Sequence, residues 1–298
     1  MRDDIQGPIQ RLLALRQHPG FANADLSELA NMAENLVEVE FAAGTVVASP
    51  ESRVPALHLV VEGQLVTTTP RGNVAAFGPR QVFGVLEVIA NRAVSAPVVA
   101  MTETRTLQLG AADLSEILED NLGLLSNARR GIARHLLLAR ARSATWHRPL
   151  QVIVPSPQFG LVERLIVLRQ HLPFARIQPL AALAQATHEV EWAAGEIVRH
   201  AGDHADGALV ILEGAVRSRQ SRAPVLVPND AVGMLETLAE QDYTETTEAV
   251  TRTRTLHVPA HALFDVMEDH TDLALGTITM LAGELLDVAG DTDDLRMN

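Results

Sequence analysis

The sequence predicts a mainly β fold with flanking helices. It reads as two tandem β-roll domains of the double-stranded jelly-roll type, each with an N-terminal helix and C-terminal helices. Three observations carry that expectation. The chain is written twice. Within each copy the hydrophobic period switches from helical to alternating and back. Glycine recurs between short runs rich in Val, Ile and Thr.

The duplication is plain in the residues. IQRLLALRQHPGFA at 9–22 returns as VERLIVLRQHLPFA at 162–175, an offset of 153. FAAGTVV at 41–47 returns as WAAGEIV at 192–198, and LVVEGQL at 59–65 as VILEGAV at 210–216, both at an offset of 151. PRQVFGVLE at 79–87 matches PNDAVGMLE at 228–236, and AMTETRTLQL at 100–109 matches AVTRTRTLHV at 249–258, both at 149. So slow a drift needs only small changes in loop length. The expected organisation is a first domain over 1–146, a linker over 147–160, a second domain over 161–290 and an acidic tail over 291–298.

Each copy opens on helix. Ile9, Leu12, Leu13 and Leu15 form a helical stripe. In DLSELANMAENL (25–36), Leu26, Leu29 and Met32 follow at helical spacing, with Asp25 placed to cap and Glu28 as its partner. The second copy of this helix starts near Pro179, a first-turn proline before Leu180 and Leu183. VEVEFAAGTVV (37–47) then alternates as a strand does, with Gly44 and its twin Gly195 at a turn. ALHLVVEGQLVTTT (56–69) reads as a hairpin about Glu62 and Gly63, and VVAMTETRTLQLG (98–110) as a further strand pair. Short strands joined by glycine turns point to a small roll or barrel.

Helix closes each copy. ADLSEILEDN (112–121) matches HALFDVMEDH (261–270). Longer helices follow, with apolar lines Leu125, Ala128, Ile132, Leu136, Ala139 and Leu275, Ile278, Leu281, Leu285, Val288. The prolines of HRPLQVIVPSPQFG (147–160) mark the linker, and DVAGDTDDLRMN at the end is acidic, polar and expected to fray.

Composition narrows the function. A length of 298 residues suits about two domains. The chain is 47% apolar but only 3% aromatic, so its cores are built from Leu, Val, Ile and Ala. All 24 basic residues are arginine, which reads as the codon bias of a G+C-rich bacterial genome. A net charge of −13 argues against a general nucleic-acid binder. The absence of cysteine removes disulfide and thiol chemistry and fits a cytoplasmic protein. MRDDIQGPIQRLL is not of signal-peptide type, and no apolar run approaches the ~20 residues of a membrane span.

The motifs suggest a family. The turn Gly44, Thr45, Val46, the LVVEGQL hairpin, Phe83 with Gly84, and A-x-T-x-T-x-x-L from Ala100 to Leu107 all recur in the second copy. There they are Gly195, Glu196, Ile197; VILEGAV; Val232 with Gly233; and Ala249 to Leu256. Helix, eight-stranded roll and two-helix tail together resemble the cyclic-nucleotide-binding domain. That domain is the sensor of CRP/FNR-type bacterial regulators and of the regulatory subunit of cyclic-AMP-dependent protein kinase. The resemblance implies a phosphate-binding cassette after the Phe-Gly pair. Its glutamate takes the ribose 2′-hydroxyl, its arginine pairs with the cyclic phosphate, and backbone N–H groups of a short helix complete the cradle. Carried over, the glutamate position holds Val85 and Met234, and the arginine position Val94 and Tyr243. An apolar residue there leaves a buried phosphate less to offset its desolvation, so no cofactor is expected and a cyclic nucleotide is disfavoured. The candidate pocket residues that remain are Gly84, Glu87 and Arg92. Glu87 and its twin Glu236 read first as braces of the cassette backbone, and Arg92 as a solvated loop arginine. The second loop, AEQDYTETTEA, is acidic and would repel an anion.

Enzyme motifs such as G-x-S-x-G, H-E-x-x-H and the P-loop are missing, and RHAGDHADG (199–207) reads as a polar hairpin loop with no metal site expected. No helix-turn-helix is expected after either long helix, and direct DNA contact is not expected. The basic helix NARRGIARHLLLARARS (127–143) reads as packed on one side and solvated on the other. The leading expectation is a non-enzymatic regulatory or adaptor protein that binds a protein partner, or itself, through the long helices near 124–142 and 273–288. The alternatives are a receptor with an altered cassette in the first domain, and a component of a larger bacterial assembly.

Overall fold

The computed structural model describes residues 7–16, 25–68, 72, 74–142, 159–172, 175–220 and 225–292. Contacts gather these into two compact units: 1–143 with 278–298, and 144–277.

Unit one opens with α1 (Pro8–Arg16) and α2 (Leu26–Asn35). Its roll comprises β1 (Val37–Phe41), β2 (Val46–Ala48), β3 (Ala56–Glu62), β4 (Leu65–Thr68), β5 (Val74–Phe77) and β6 (Val82–Phe83), then α3 (Val85–Ala90), β7 (Val98–Ala100) and β8 (Thr104–Gly110). α4 (Ala111–Asp120) and α5 (Leu122–Arg142) follow. Unit two repeats the order: α6 (Leu161–His171), α7 (Ile177–Ala186), β9 (His188–Trp192), β10 (Ile197–Arg199), β11 (Gly207–Glu213), β12 (Val216–Ser218), β13 (Ala231–Val232), α8 (Met234–Ala239), β14 (Thr247–Ala249), β15 (Thr253–Pro259), α9 (Ala260–Asp269) and α10 (Thr271–Thr292). Unit one takes in α10 from Ile278 onward.

The strands form two antiparallel sheets per unit. In unit one these are β1-β8-β3-β6 and β2-β7-β4-β5; in unit two, β13-β11-β15-β9 and β10-β14-β12. Among the described residues, a bridge between Val216 and Leu226 stands at the positions equivalent to Leu65 and Phe77 of the β4–β5 pair. β3 and β11 run at the centre of their sheets and are buried on both faces over their first five residues, apolar throughout in β11 and interrupted by His58 in β3. Leu59, Leu65, Leu107 and Leu109 pack the first roll; Leu209, Ile211, Val216 and Leu256 pack the second.

The recurring motifs have structural reasons. Gly63 and Gly214 sit at left-handed φ of 80° and 86°. A Cβ on Gly63 would lie 2.4 Å from the Glu103 carbonyl oxygen, and one on Gly214 2.5 Å from that of Arg252, so no other residue fits this turn. The neighbouring threonine clasps the hairpin: the Gln64 N–H donates to Thr104 Oγ1 at 3.1 Å, and the Ala215 N–H to Thr253 Oγ1 at 3.2 Å. The next residue is an arginine in both copies. Arg105 Nη1 lies 3.1 Å from Glu38 Oε1, and Nη2 lies 2.9 Å from Glu62 Oε1. Arg254 Nη2 lies 2.8 Å from Glu213 Oε1, its Nε lies 3.6 Å from Glu189, and its guanidinium stands over the Phe159 ring. A register shift between Val60 and Glu62, repeated between Ile211 and Glu213, turns each glutamate onto its arginine.

Two expectations are corrected. α10 does not fray from Asp287 but continues to Thr292, because Leu285 and Val288 are buried along it. The basic face of α5 is not wholly solvated: Arg129 is buried, since 129 falls on the same stripe as Leu125, Ile132 and Leu136, whereas Arg134 is exposed. α7 begins at Ile177, near Pro179 as expected, and holds that proline within its first turn. Most of the expected linker lies outside the described residues; of it, Phe159 and Gly160 are described.

One core position differs in chemistry between the rolls. His58 stands where unit two has Leu209. It lies between Phe41 and Phe83, with Nδ1 3.1 Å from Thr106 Oγ1, and burial pulls its pKa down to about 4. His171 is held at about 4 by burial as well. The unfolded chain takes up these protons below about 6.5 while the folded chain resists until about 4, so stability falls as pH drops through that window. Replacing His58 with Leu should flatten the parent's loss between these pH values, by up to about 3 kcal/mol in urea titrations; an unchanged pH slope would show that His58 is not held neutral. Arg105→Met should lower stability by about 1–3 kcal/mol because it strands Glu38 and Glu62, and Arg254→Met should cost less because its carboxylates are more exposed. Equal and negligible losses would show that the clamps contribute nothing.

Candidate functional site

Each unit carries a short helix at the end of a two-residue strand, and the sequence-predicted site residues lie there. In unit one, β6 pairs with β3 through Leu59 to Val82 and His58 to Phe83, and the chain then turns at Gly84. Gly84 has φ 90°, and a Cβ there would stand 3.1 Å from the Ala56 carbonyl oxygen and 3.2 Å from Val54 Cγ1. In unit two Gly233 has φ 77°, and a Cβ would stand 2.5 Å from Tyr243 Cε1. Both helices end on a left-handed residue, Asn91 or Glu240. The chain then zips back onto the roll. The Arg92 N–H donates to the Glu87 carbonyl at 2.8 Å and the Val54 N–H to the Arg92 carbonyl at 3.2 Å. In unit two the Gln241 N–H donates to the Glu236 carbonyl and the Tyr243 N–H to the Asp203 carbonyl.

The two positions to which the resemblance assigns the cassette arginine are buried in different ways. Val94 is 6% exposed and apolar. Tyr243 is 5% exposed, and its ring fills the space beside Gly233. Its hydroxyl lies 2.7 Å from the Gly207 carbonyl oxygen and 2.9 Å from Asp206 Oδ1. Burial pushes the phenol up to about 12, so the group is a neutral donor. Arg199, from β10, stands over the Tyr243 ring at 5.2 Å and places Nη2 3.3 Å from Asp206 Oδ1. His257 Nε2 faces the same oxygen at 3.9 Å, and burial lowers its pKa first, with Arg199 adding to the shift. Sequence reasoning missed this tyrosine–arginine–aspartate group. The only signal was Tyr243, the one tyrosine in the chain, at the arginine position.

Gly84 precedes α3 as its N-cap and Glu87 stands in the first turn, where burial raises its carboxyl, which accepts its own backbone N–H. Its twin Glu236 accepts the Thr244 hydroxyl at 2.7 Å. Arg92 follows α3, but its side chain turns elsewhere. Nη1 lies 2.6 Å from Asp287 Oδ1 and 3.3 Å from the Gly283 carbonyl oxygen, both on the part of α10 that belongs to unit one. In the RHAGDHADG loop, His204 Nδ1 stands 3.8 Å from Asp242 with both groups exposed; among the described residues no cluster of three or more His, Cys, Asp or Glu could hold a metal. No described helix is long and apolar enough to cross a membrane.

The family model described as the cyclic nucleotide-binding domain matches residues 38–121 and 189–270, together more than half the chain. No curated sequence matches it. Among solved structures, the chain is similar to the regulatory domain of Toxoplasma gondii PKA crystallised with cAMP. That match has 16% identity, covers 99% of this chain and 98% of that one, and has a TM-score of 0.36. It is also similar to the regulatory subunit of a cAMP-independent protein kinase A from Trypanosoma brucei, at 17% identity over 99% and 91% of the two chains with a TM-score of 0.36. The N-terminal domain of a transcriptional regulator from Streptomyces coelicolor A3(2) matches at 27% identity over 45% of this chain and 96% of that one, with a TM-score of 0.39.

Tyr243→Phe keeps the ring and removes the buried hydroxyl. It should cost about 1 kcal/mol of stability, read by denaturant titration, by leaving the Gly207 carbonyl without this donor. Tyr243→Ala should cost more, about 3 kcal/mol or above, because it also empties the space beside Gly233. Equal effects of the two would contradict a packed ring.

Proposed function

The chain belongs to the cyclic nucleotide-binding domain family in both of its repeats, and on that premise we propose that it is a non-enzymatic regulatory or adaptor protein that acts through protein contact. Two tandem domains of this family support a regulatory or ligand-binding role, and the cassettes favour protein contact over a bound nucleotide. A cyclic phosphate needs a cation in a low-dielectric pocket to offset the loss of water. The observation that carries the proposal is that the cation's position in unit two is filled by the neutral Tyr243, bonded back to its own unit. Glu240, Asp242 and Glu245 in the same loop oppose an anion, and Arg199 faces Asp206. In unit one the same position is the buried Val94. Contact with a partner is proposed for the outward side of α5, where Arg134 and Leu138 lie one turn apart and are exposed.

A second reading, a receptor with an altered cassette in unit one, is favoured by one observation: the Arg92 side chain is 47% exposed and follows the cassette helix directly. Gly84, Glu87 and Arg92 would then be its ligand residues, and Arg92 would have to leave Asp287 to serve. Calorimetry with cyclic AMP, cyclic GMP and cyclic di-GMP separates the two. No heat of binding at micromolar concentrations is expected for any of them. Saturable binding of one, abolished by Arg92→Ala, would establish the receptor instead.

A further inference from the structure

We propose that Arg92 is a strap that ties the unit-one cassette shut against α10, with the chain's own Asp287 as its ionic partner. Three features point to it. Arg92 is anchored by its backbone on both sides of the cassette: its N–H donates to the Glu87 carbonyl, and its carbonyl accepts the Val54 N–H. Its guanidinium reaches two positions one turn apart on a single helix face, Gly283 through the carbonyl oxygen and Asp287 through the carboxylate. At 283 the helix presents a glycine, and a Cβ there would stand in van der Waals contact with Arg92, 3.4 Å from Nη2 and 3.6 Å from Cζ, so the guanidinium lies close on this helix face.

The seat itself is secure. Leu281, Ala282, Leu285 and Val288 are buried along this part of α10, and Glu284 pairs with Arg140 of α5. The strap is not. Arg92 and Asp287 are each about half exposed, the setting in which an ion pair contributes least and is most readily screened. What the pair governs is therefore the cassette loop and not the docking of the helix. Unit two has Gln241 at the equivalent position and fills its cassette with Tyr243, so the strap is a feature of one unit and no requirement of the fold.

Hydrogen exchange on the full chain tests this, because the Val88, Asn91 and Arg92 amides all bond within the cassette. Arg92→Ala and Asp287→Ala should each speed exchange across 85–94 by about fivefold while amides of β11 and β15 stay unchanged. The double variant should be no faster than either single variant, and the exchanged pair Arg92→Asp with Asp287→Arg should restore protection. In the parent chain, raising sodium chloride should speed the same segment, and the double variant should not respond. Unchanged exchange over 85–94 in both single variants, additive effects in the double, or an equal response to salt in parent and double variant would overturn the strap.

Discussion

A guanidinium drawn into a β-roll must keep its carboxylates, and that requirement fixes the register of both rolls. Arg105 and Arg254 sit on the strand that pairs with two neighbours at once, β8 or β15, and each reaches a glutamate on either side. One of those glutamates is reachable only because a bulge adds a residue to β3 or β11. The bulge leads into a turn that only glycine can make, and the turn is clasped by a threonine one residue before the arginine. Arginine, threonine, glycine and glutamate are thus parts of one device. Slipping any of these strands by one residue would bury a charge without its partner, at several kcal/mol.

The cassettes hang from that frame. β6 and β13 are too short to hold themselves, and they are carried by β3 and β11, whose far ends the clamps secure. The backbone of the cassette is kept in both units: the left-handed glycine, the short helix, the left-handed exit residue and the zip back to the roll. The chemistry inside it is not. Unit two fills the space beside its cassette glycine with an aromatic ring, whose hydroxyl bonds back to Gly207 and Asp206. Unit one leaves a buried valine and turns its nearest cation outward to a carboxylate. A packed ring is worth several kcal/mol and an exposed ion pair one at most, so the two cassettes differ in how readily they open.

Where a feature depends on neighbours in sequence, it was visible early. The repeat, the hairpin glycines, the helix that follows Asp25 and the missing charges at Val85, Val94, Met234 and Tyr243 all follow from local pattern. Which stripe of a helix is buried is not a local property: the apolar line of α5 in the sequence runs through Ala128, while the buried stripe passes through Arg129. The polar composition after Asp287 suggests a frayed tail, but the helix, seated by Leu281, Leu285 and Val288, continues to Thr292.

The sequence by itself determined that this chain is a duplicated roll and that Val85, Val94, Met234 and Tyr243 stand where the resemblance implies a charge pair. Those are statements about residue identity and period, and neither needs a third dimension. Only the tertiary structure decided where the displaced chemistry went. Tyr243 meets Asp206 and Gly207 across 37 and 36 residues, and Arg92 meets Asp287 across 195. Period fixes which way a side chain faces along its own element. Which group it finds there is fixed by the packing of elements distant in sequence, and no local pattern records that.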